Sequence, residues 1–259
     1  MNIQKRPLLF SLILASSFLV PALASSGAQA TADEIIEKHL AAIGGKDALA
    51  KLTSQKATGT MTIATPNGDL TGPVEMLSKA PNRARVYIQL DLTPVGMSDK
   101  MVIEQKFNGT AGWMMNSMQG DQEITGNQLD NMKNNSFPTP LLTYKTSGAK
   151  TELLPKEDVK GKQALVVLYT PKTGSPVRMY FDPETFLLLR TKATINSPET
   201  GDLEQIRDMS DYRVVAGIKS PFMMVNTNSQ QVLTIKLEKV EYNVPIDDAV
   251  FGKTAAGVR

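Results

Sequence analysis

Residues 55–90, QKATGTMTIATPNGDLTGPVEMLSKAPNRARVYIQL, decide how the rest of the chain is read. Met61 and Ile63 alternate with Thr60 and Thr62. Val74 and Met76 follow the Pro66-Asn67-Gly68-Asp69 turn, and Val86, Ile88 and Leu90 follow Pro81-Asn82, with Arg85, Tyr87 and Gln89 between them. A period of two with turn formers at each break is the pattern of antiparallel strands that bury one face.

The same pattern extends toward the C-terminus. Asn108-Gly109 separates 101–107 from 111–118, a strong hairpin signal. Strand patterns resume at 165–168, 177–181 and 186–195, joined by Lys172-Thr173-Gly174-Ser175 and Asp182-Pro183-Glu184-Thr185, and again at 204–211, 221–227 and 231–244. Residues 126–148 interrupt it: Leu129 and Met132 fit a helical turn, and Pro138 and Pro140 then force extended chain, so this segment reads as an insertion or flap. Toward the N-terminus the period lengthens. Ile35, Ile36, Leu40 and Ile43 predict a helix over 32–43, capped by Thr31 or Asp33 and ended by Gly44-Gly45, and a short helix carries Ala48, Leu49 and Leu52. The fold class expected is mainly β (α+β): one curved antiparallel sheet of about ten strands after a helix pair. No linker or repeat divides it.

Composition narrows the chemistry. The 259 residues contain no cysteine, which excludes disulfides, thiolate nucleophiles and cysteine-ligated metals. His39 is the one histidine, so no two-histidine zinc motif exists, and no serine, acid and oxyanion loop can be assigned around it; a partly exposed helical side chain is expected there. Asp247-Asp248, Glu152, Glu157 and Asp158 have no calcium-loop spacing, and glycine-rich phosphate cradles are missing. Neither an enzyme nor a cofactor is expected, although a glycosidase, whose two carboxylates are placed by the fold, stays open.

The first thirty residues read as an address. Lys5 and Arg6 precede an apolar run from Leu8 to Val20, then Pro21 and small residues, the order of a secretory signal peptide. Ala22-Leu23-Ala24 and Ala28-Gln29-Ala30 are both acceptable cleavage sites. The run is shorter than the roughly 20 residues a membrane span needs. Removing 1–30 takes two of the 28 Lys and Arg and none of the 26 acids, leaving 26 against 26. A neutral product lacks the footprint of a nucleic-acid binder. Without a cysteine it cannot carry a bacterial lipid anchor, so the expected product is a single domain, 31–259, free in the periplasm.

Thirteen methionines are the informative excess. An unbranched, polarizable side chain suits a pocket for flexible acyl chains, and it also fills irregular cores; Trp113, beside Met114 and Met115, fits either role.

One resemblance gathers these features. Asp33-Glu34-Ile35-Ile36-Glu37-Lys38, then Ala42-Ile43-Gly44-Gly45 and Asp47-Ala48-Leu49, followed by a long run of strands, resembles the LolA/LolB-like superfamily of periplasmic proteins. Tyr180-Phe181-Asp182-Pro183-Glu184-Thr185 with Leu187-Leu188-Leu189-Arg190, Asp211-Tyr212-Arg213 with Gly217-Ile218-Lys219 and Pro221-Phe222, and the ending Val244 to Phe251 are similar to its outer-membrane lipoprotein-sorting-like members. The resemblance implies a strongly curved half-barrel whose concave apolar face is covered by helices and holds lipids or the acyl chains of lipoproteins. Leaving about sixteen carbons in water costs over ~10 kcal/mol, so such a carrier needs a dry groove and a movable lid. On this basis the groove residues are Met61, Ile63, Val74, Met76, Val86, Ile88, Leu90, Met101, Ile103, Trp113 and Met115. The lid is Ile36, Leu40 and Ile43, with 126–148 a second candidate. LolA latches its lid with a strand arginine, whereas Arg83 and Arg85 alternate away from Val86 and Ile88, so that role is not transferred. A lipid or acylated molecule is the expected ligand. The alternative is an envelope sensor or interaction module of the same fold, with an envelope protein as its partner.

Overall fold

A computed structural model describes residues 30–197 and 201–253. Residues 1–29 of the proposed signal segment and the last six residues lie outside the described residues.

Helix α1 (Ala32–Ala42) begins with a reciprocal cap: Thr31 Oγ1 accepts from Glu34 N, and Glu34 Oε2 accepts from Thr31 N. It ends where Gly44, at φ +137°, passes close to Ile218; a Cβ there would lie 2.9 Å from Ile218 Cδ1. The short α2 (Lys46–Ala50) follows.

Among the described residues thirteen strands then form one sheet. The first six are β1 (Ser54–Ala64), β2 (Leu70–Lys79), β3 (Arg83–Asp91), β4 (Lys100–Phe107), β5 (Gly112–Asn116) and β6 (Gly120–Ile124). After α3 (Gly126–Asn134) come β7 (Lys150–Val159), β8 (Lys162–Thr170), β9 (Val177–Phe181), β10 (Leu188–Ser197), β11 (Gly201–Val215), β12 (Ile218–Thr227) and β13 (Val232–Tyr242). Within β1–β6 and within β7–β13 each strand pairs antiparallel with the next, and β13, at the centre of the sheet, returns to pair with β1. The sheet is an open, curved half-barrel whose edges are β6 and β7.

The mainly antiparallel sheet expected, at about ten strands, is present with thirteen among the described residues. The strands the alternation missed are the two edges. β6 reads GDQEI, and β7 reads KTELLPKEDV with Pro155 inside a register shift between Leu154 and Glu157. Charge and proline are how edges resist further pairing, and they erase the apolar period.

One face of the sheet, the inner face, carries two apolar clusters. The first joins Ile35, Ile36 and Leu40 of α1 to Val167, Tyr169, Met179 and Phe181. The second is built from β1–β3 with β12 and β13. On the outer face a strap near the C-terminus crosses β3 and β4: Phe251 is fully buried, and Asp248 pairs with Lys79 and Arg83. Among the described residues no helix is long and apolar enough to cross a membrane.

Candidate ligand-binding face

Strand pairing brings most of the residues expected to line a groove onto one face of the sheet. Met76 lies opposite Val86, Val74 opposite Ile88, Ile88 opposite Ile103 and Leu90 opposite Met101, while Met61 and Ile63 sit opposite Gly72 and Leu70. These nine side chains therefore share the inner face. Met61, Val74, Ile88 and Leu90 are already buried, whereas Ile63, Met76, Val86, Met101 and Ile103 are only partly buried around them. The alternation left out Leu233, Ile235 and Leu237 of β13 and Phe222 and Met224 of β12, which complete the wall across β1.

Trp113 and Met115 stand elsewhere. Trp113 faces Lys106 and Glu123 across its neighbours, and Met115 faces Glu104 and Asp121, so both lie on the outer face. That face is ionic: Arg85 pairs with Glu75 at 2.7 Å and with Glu104, and Lys56 with Glu75 at 2.9 Å. Hydrogen bonding and charge from Lys56 and then Arg85 hold the Glu75 carboxyl below its usual range, against a smaller opposing effect of burial. Met114 takes the inner position instead, opposite Gln105.

The helix read as a lid is anchored. Ile36 and Leu40 are fully buried and Ile43 partly so, in the cluster that holds residues of β8, β9 and the start of β12 and not in that of Met61 and Val74. Lys219 N donates to Ile43 O at 2.9 Å, and His39 Nδ1 donates to Phe186 O at 2.8 Å. His39 is 5% exposed, which corrects the expectation of a partly exposed side chain; burial lowers its pKa, opposed by the backbone hydrogen bond. α1 is thus a wall over the β7–β9 half of the inner face.

The 126–148 segment bridges the two halves. Asn82 Nδ2 donates to Lys133 O and Phe137 N to Pro81 O on one side; on the other, Asn131 Oδ1 accepts from Ser175 N, Asn127 Oδ1 from Ser175 Oγ, and Asn134 reaches Thr173 O. No residue of α3 is fully buried; asparagine side chains supply most of these bonds, and Met132 lies over Gly112. Leu141 and Tyr144 further along pack into the α1 cluster. A polar cleft of about 570 Å³ opens beside α3, lined by Asn127, Ser175, Arg178, Lys192 and Glu204, with Lys192 and Glu204 paired at 2.8 Å.

The clusters meet on a polar seam. One inner-face row runs across nine strands as Leu153, Val167, Met179, Thr191, Arg207, Asn226, Leu233, Ile63 and Leu70. Its flanks are apolar and its middle three members are not. No sequence signal singled out Arg207, because both alternating sets in β11 mix polar and apolar residues.

The carboxylates weighed as catalytic or metal-binding are dispersed. Asp248 pairs with Lys79 and Arg83, Glu157 accepts from Tyr180 Oη, and Asp158 Oδ1 accepts from Gly161 N. Among the described residues no group of three candidate ligands could hold a metal ion.

No family model matches the sequence, and no curated protein matches it. Solved structures do match. A LolA superfamily protein from Nitrosomonas europaea superposes with a TM-score of 0.54 at 16% identity, over 87% of this chain and 99% of that one. A DUF1329 family protein from Desulfovibrio piger gives 0.54 at 15%, over 85% and 97%. An outer membrane lipoprotein-sorting protein domain from Vibrio parahaemolyticus gives 0.51 at 12%, over 85% and 95%. At these identities the shared property is the fold.

Proposed function

From the premise of a LolA-like fold, we propose that this protein is an exported periplasmic carrier that holds a lipid or acylated molecule against its inner face, without enzymatic activity. The observation that carries the reading is the inner face of β1–β4, where Ile63, Met76, Val86, Met101 and Ile103 are only partly buried around a buried floor. Four of the residues bounding this surface, Met61, Met76, Met101 and Met224, are methionines, whose adaptable side chains repack around chains of different length. Covering this surface with methylenes is favourable by about 0.8 kcal/mol for each one buried. α1 forms the fixed wall, and α3, held mainly by asparagine side chains, is the element that moves aside.

Native mass spectrometry of the protein purified gently from its own envelope, with organic extraction, tests the proposal. The expected result is a reproducible lipid mass near one per chain. A consistently bare protein, together with no lipid exchange between vesicles, would overturn it.

The second reading is a protein-interaction module. It is favoured by the burial of Met61, Val74 and Leu90, which already fill the floor with the chain's own atoms, and by the unpaired outer edge of β6. It predicts a specific envelope partner in crosslinking and no stoichiometric lipid.

A further inference from the structure

We infer that Arg207 is an anion receptor inside the half-barrel, selecting acyl ligands whose headgroup is a carboxylate or phosphate. The inference rests on the carrier reading and names the ligand's polar end.

Its position is the first argument. Thr191, Arg207 and Asn226 pair directly across β10, β11 and β12 on the inner face, between the cluster covered by α1 and the cluster of Ile63, Leu233 and Met224. An amphiphile with its chain along β1–β4 therefore meets this seam with its head.

Its unused hydrogen-bonding capacity is the second. Arg207 Nε donates to Asn226 Oδ1 at 2.6 Å, and Asn226 is itself buried, so the guanidinium is aimed by a fixed neighbour. Its terminal nitrogens have no partner among the described residues, and no carboxylate neutralises it there. Arg213, on the same strand, differs: Asp211 pairs with it at 2.6 Å. A guanidinium fork matches the two oxygens of a carboxylate or phosphate and holds them through charge-assisted bonds.

Its environment is the third. Arg207 is open to solvent, yet surrounding protein lowers its pKa by desolvation. The guanidinium is therefore within reach of a ligand, and an ion pair formed where neighbouring protein displaces part of the water is screened less than in bulk solvent.

The test compares three fourteen-carbon ligands below their critical micelle concentrations: myristate, 1-myristoyl lysophosphatidate and 1-monomyristoyl glycerol. Binding is read by native mass spectrometry and equilibrium dialysis. The wild type is expected to bind at least one anion about tenfold more tightly than the neutral glyceride. Arg207→Met should reduce that anion to the level of the glyceride and leave the glyceride unchanged, while Arg207→Lys keeps a preference. Which anion wins tells carboxylate from phosphate. Equal binding of all three by the wild type, or an Arg207→Met variant of unchanged melting temperature that weakens all three alike, overturns the receptor. Failure of the wild type to bind any of them overturns the carrier reading itself, and the receptor with it.

Discussion

His39 Nδ1 lies 2.8 Å from the carbonyl oxygen of Phe186 and donates to it, tying α1 to the turn between β9 and β10 across 147 residues of sequence. The ring is buried and packs 5.0 Å from the Phe181 ring, centroid to centroid, and Lys38 Nζ stands 4.9 Å above the Phe186 ring beside it. The imidazole is thus held neutral, with a cation nearby. Burial depresses its pKa in the folded state below the ordinary 6.5. Above that value folded and unfolded chains are both neutral and the helix contact contributes fully. As the pH falls below it, the unfolded chain takes up a proton that the folded chain resists down to its own lower pKa, so stability is lost over that interval. Melting temperatures from pH 7.5 to 5 should fall in the wild type and fall less steeply in His39→Gln. Parallel curves for the two proteins would show that His39 does not govern this limb.

Asp182 shapes the other side of that contact. Burial opposes its ionisation, but Lys162 and the amides of Thr185 and Glu184 together outweigh it and bring its pKa to about 2. It is covered locally by its own turn rather than sunk in the core, and only 2% of it is exposed. Its contribution is complete above the usual 3.8 and is lost as the pH falls through about 2. The shift corresponds to roughly 2 kcal/mol. Asp182→Asn should cost about that much in urea unfolding at pH 7, and the difference from the wild type should shrink in strong acid.

Two glycines in the sheet let neighbouring backbones approach closely. A Cβ on Gly72 would lie 1.7 Å from Gln89 O, and one on Gly59 would lie 2.2 Å from Lys236 O. Both obstacles are backbone, so no rotamer change relieves them. Gly59 also marks the register shift between β1 and β13. Gly72→Ala and Gly59→Ala should each destabilise the protein by at least about 2 kcal/mol, as overpacking does when the obstacle cannot move. Chemical denaturation would measure this, and a change under 0.5 kcal/mol would mean the strands separate more easily than their pairing indicates.

How far the sequence could be read follows from the same physics. Where one set of alternating residues is oily and the other polar, as in Met61/Thr62 or Val86/Tyr87, register and face were legible, and nine of the eleven residues expected to line a groove share one face. In β5 that contrast fails, because Trp113, Met114 and Met115 are all apolar; only the pairing of Trp113 with Lys106 and Glu123 places it outside. The edges β6 and β7 were invisible because edge protection removes the apolar period. His39 and Arg207 depend on partners 147 and 19 residues away, and no local spacing encodes them.

The outer position of Trp113 makes it a silent witness. An acyl ligand on the inner face is separated from the indole by the thickness of the sheet, because Trp113 shares its face with Lys106 and Glu123. With no native cysteine, a single Ile63→Cys variant can carry an environment-sensitive dye at the margin of the groove. Adding a ligand should shift the dye to the blue and leave tryptophan emission within a few nanometres of its starting value, since solvatochromic shifts follow local polarity. The reverse, a tryptophan shift with a silent dye, would move the binding surface to the outer face beneath the C-terminal strap and remove the basis for the inner-face groove.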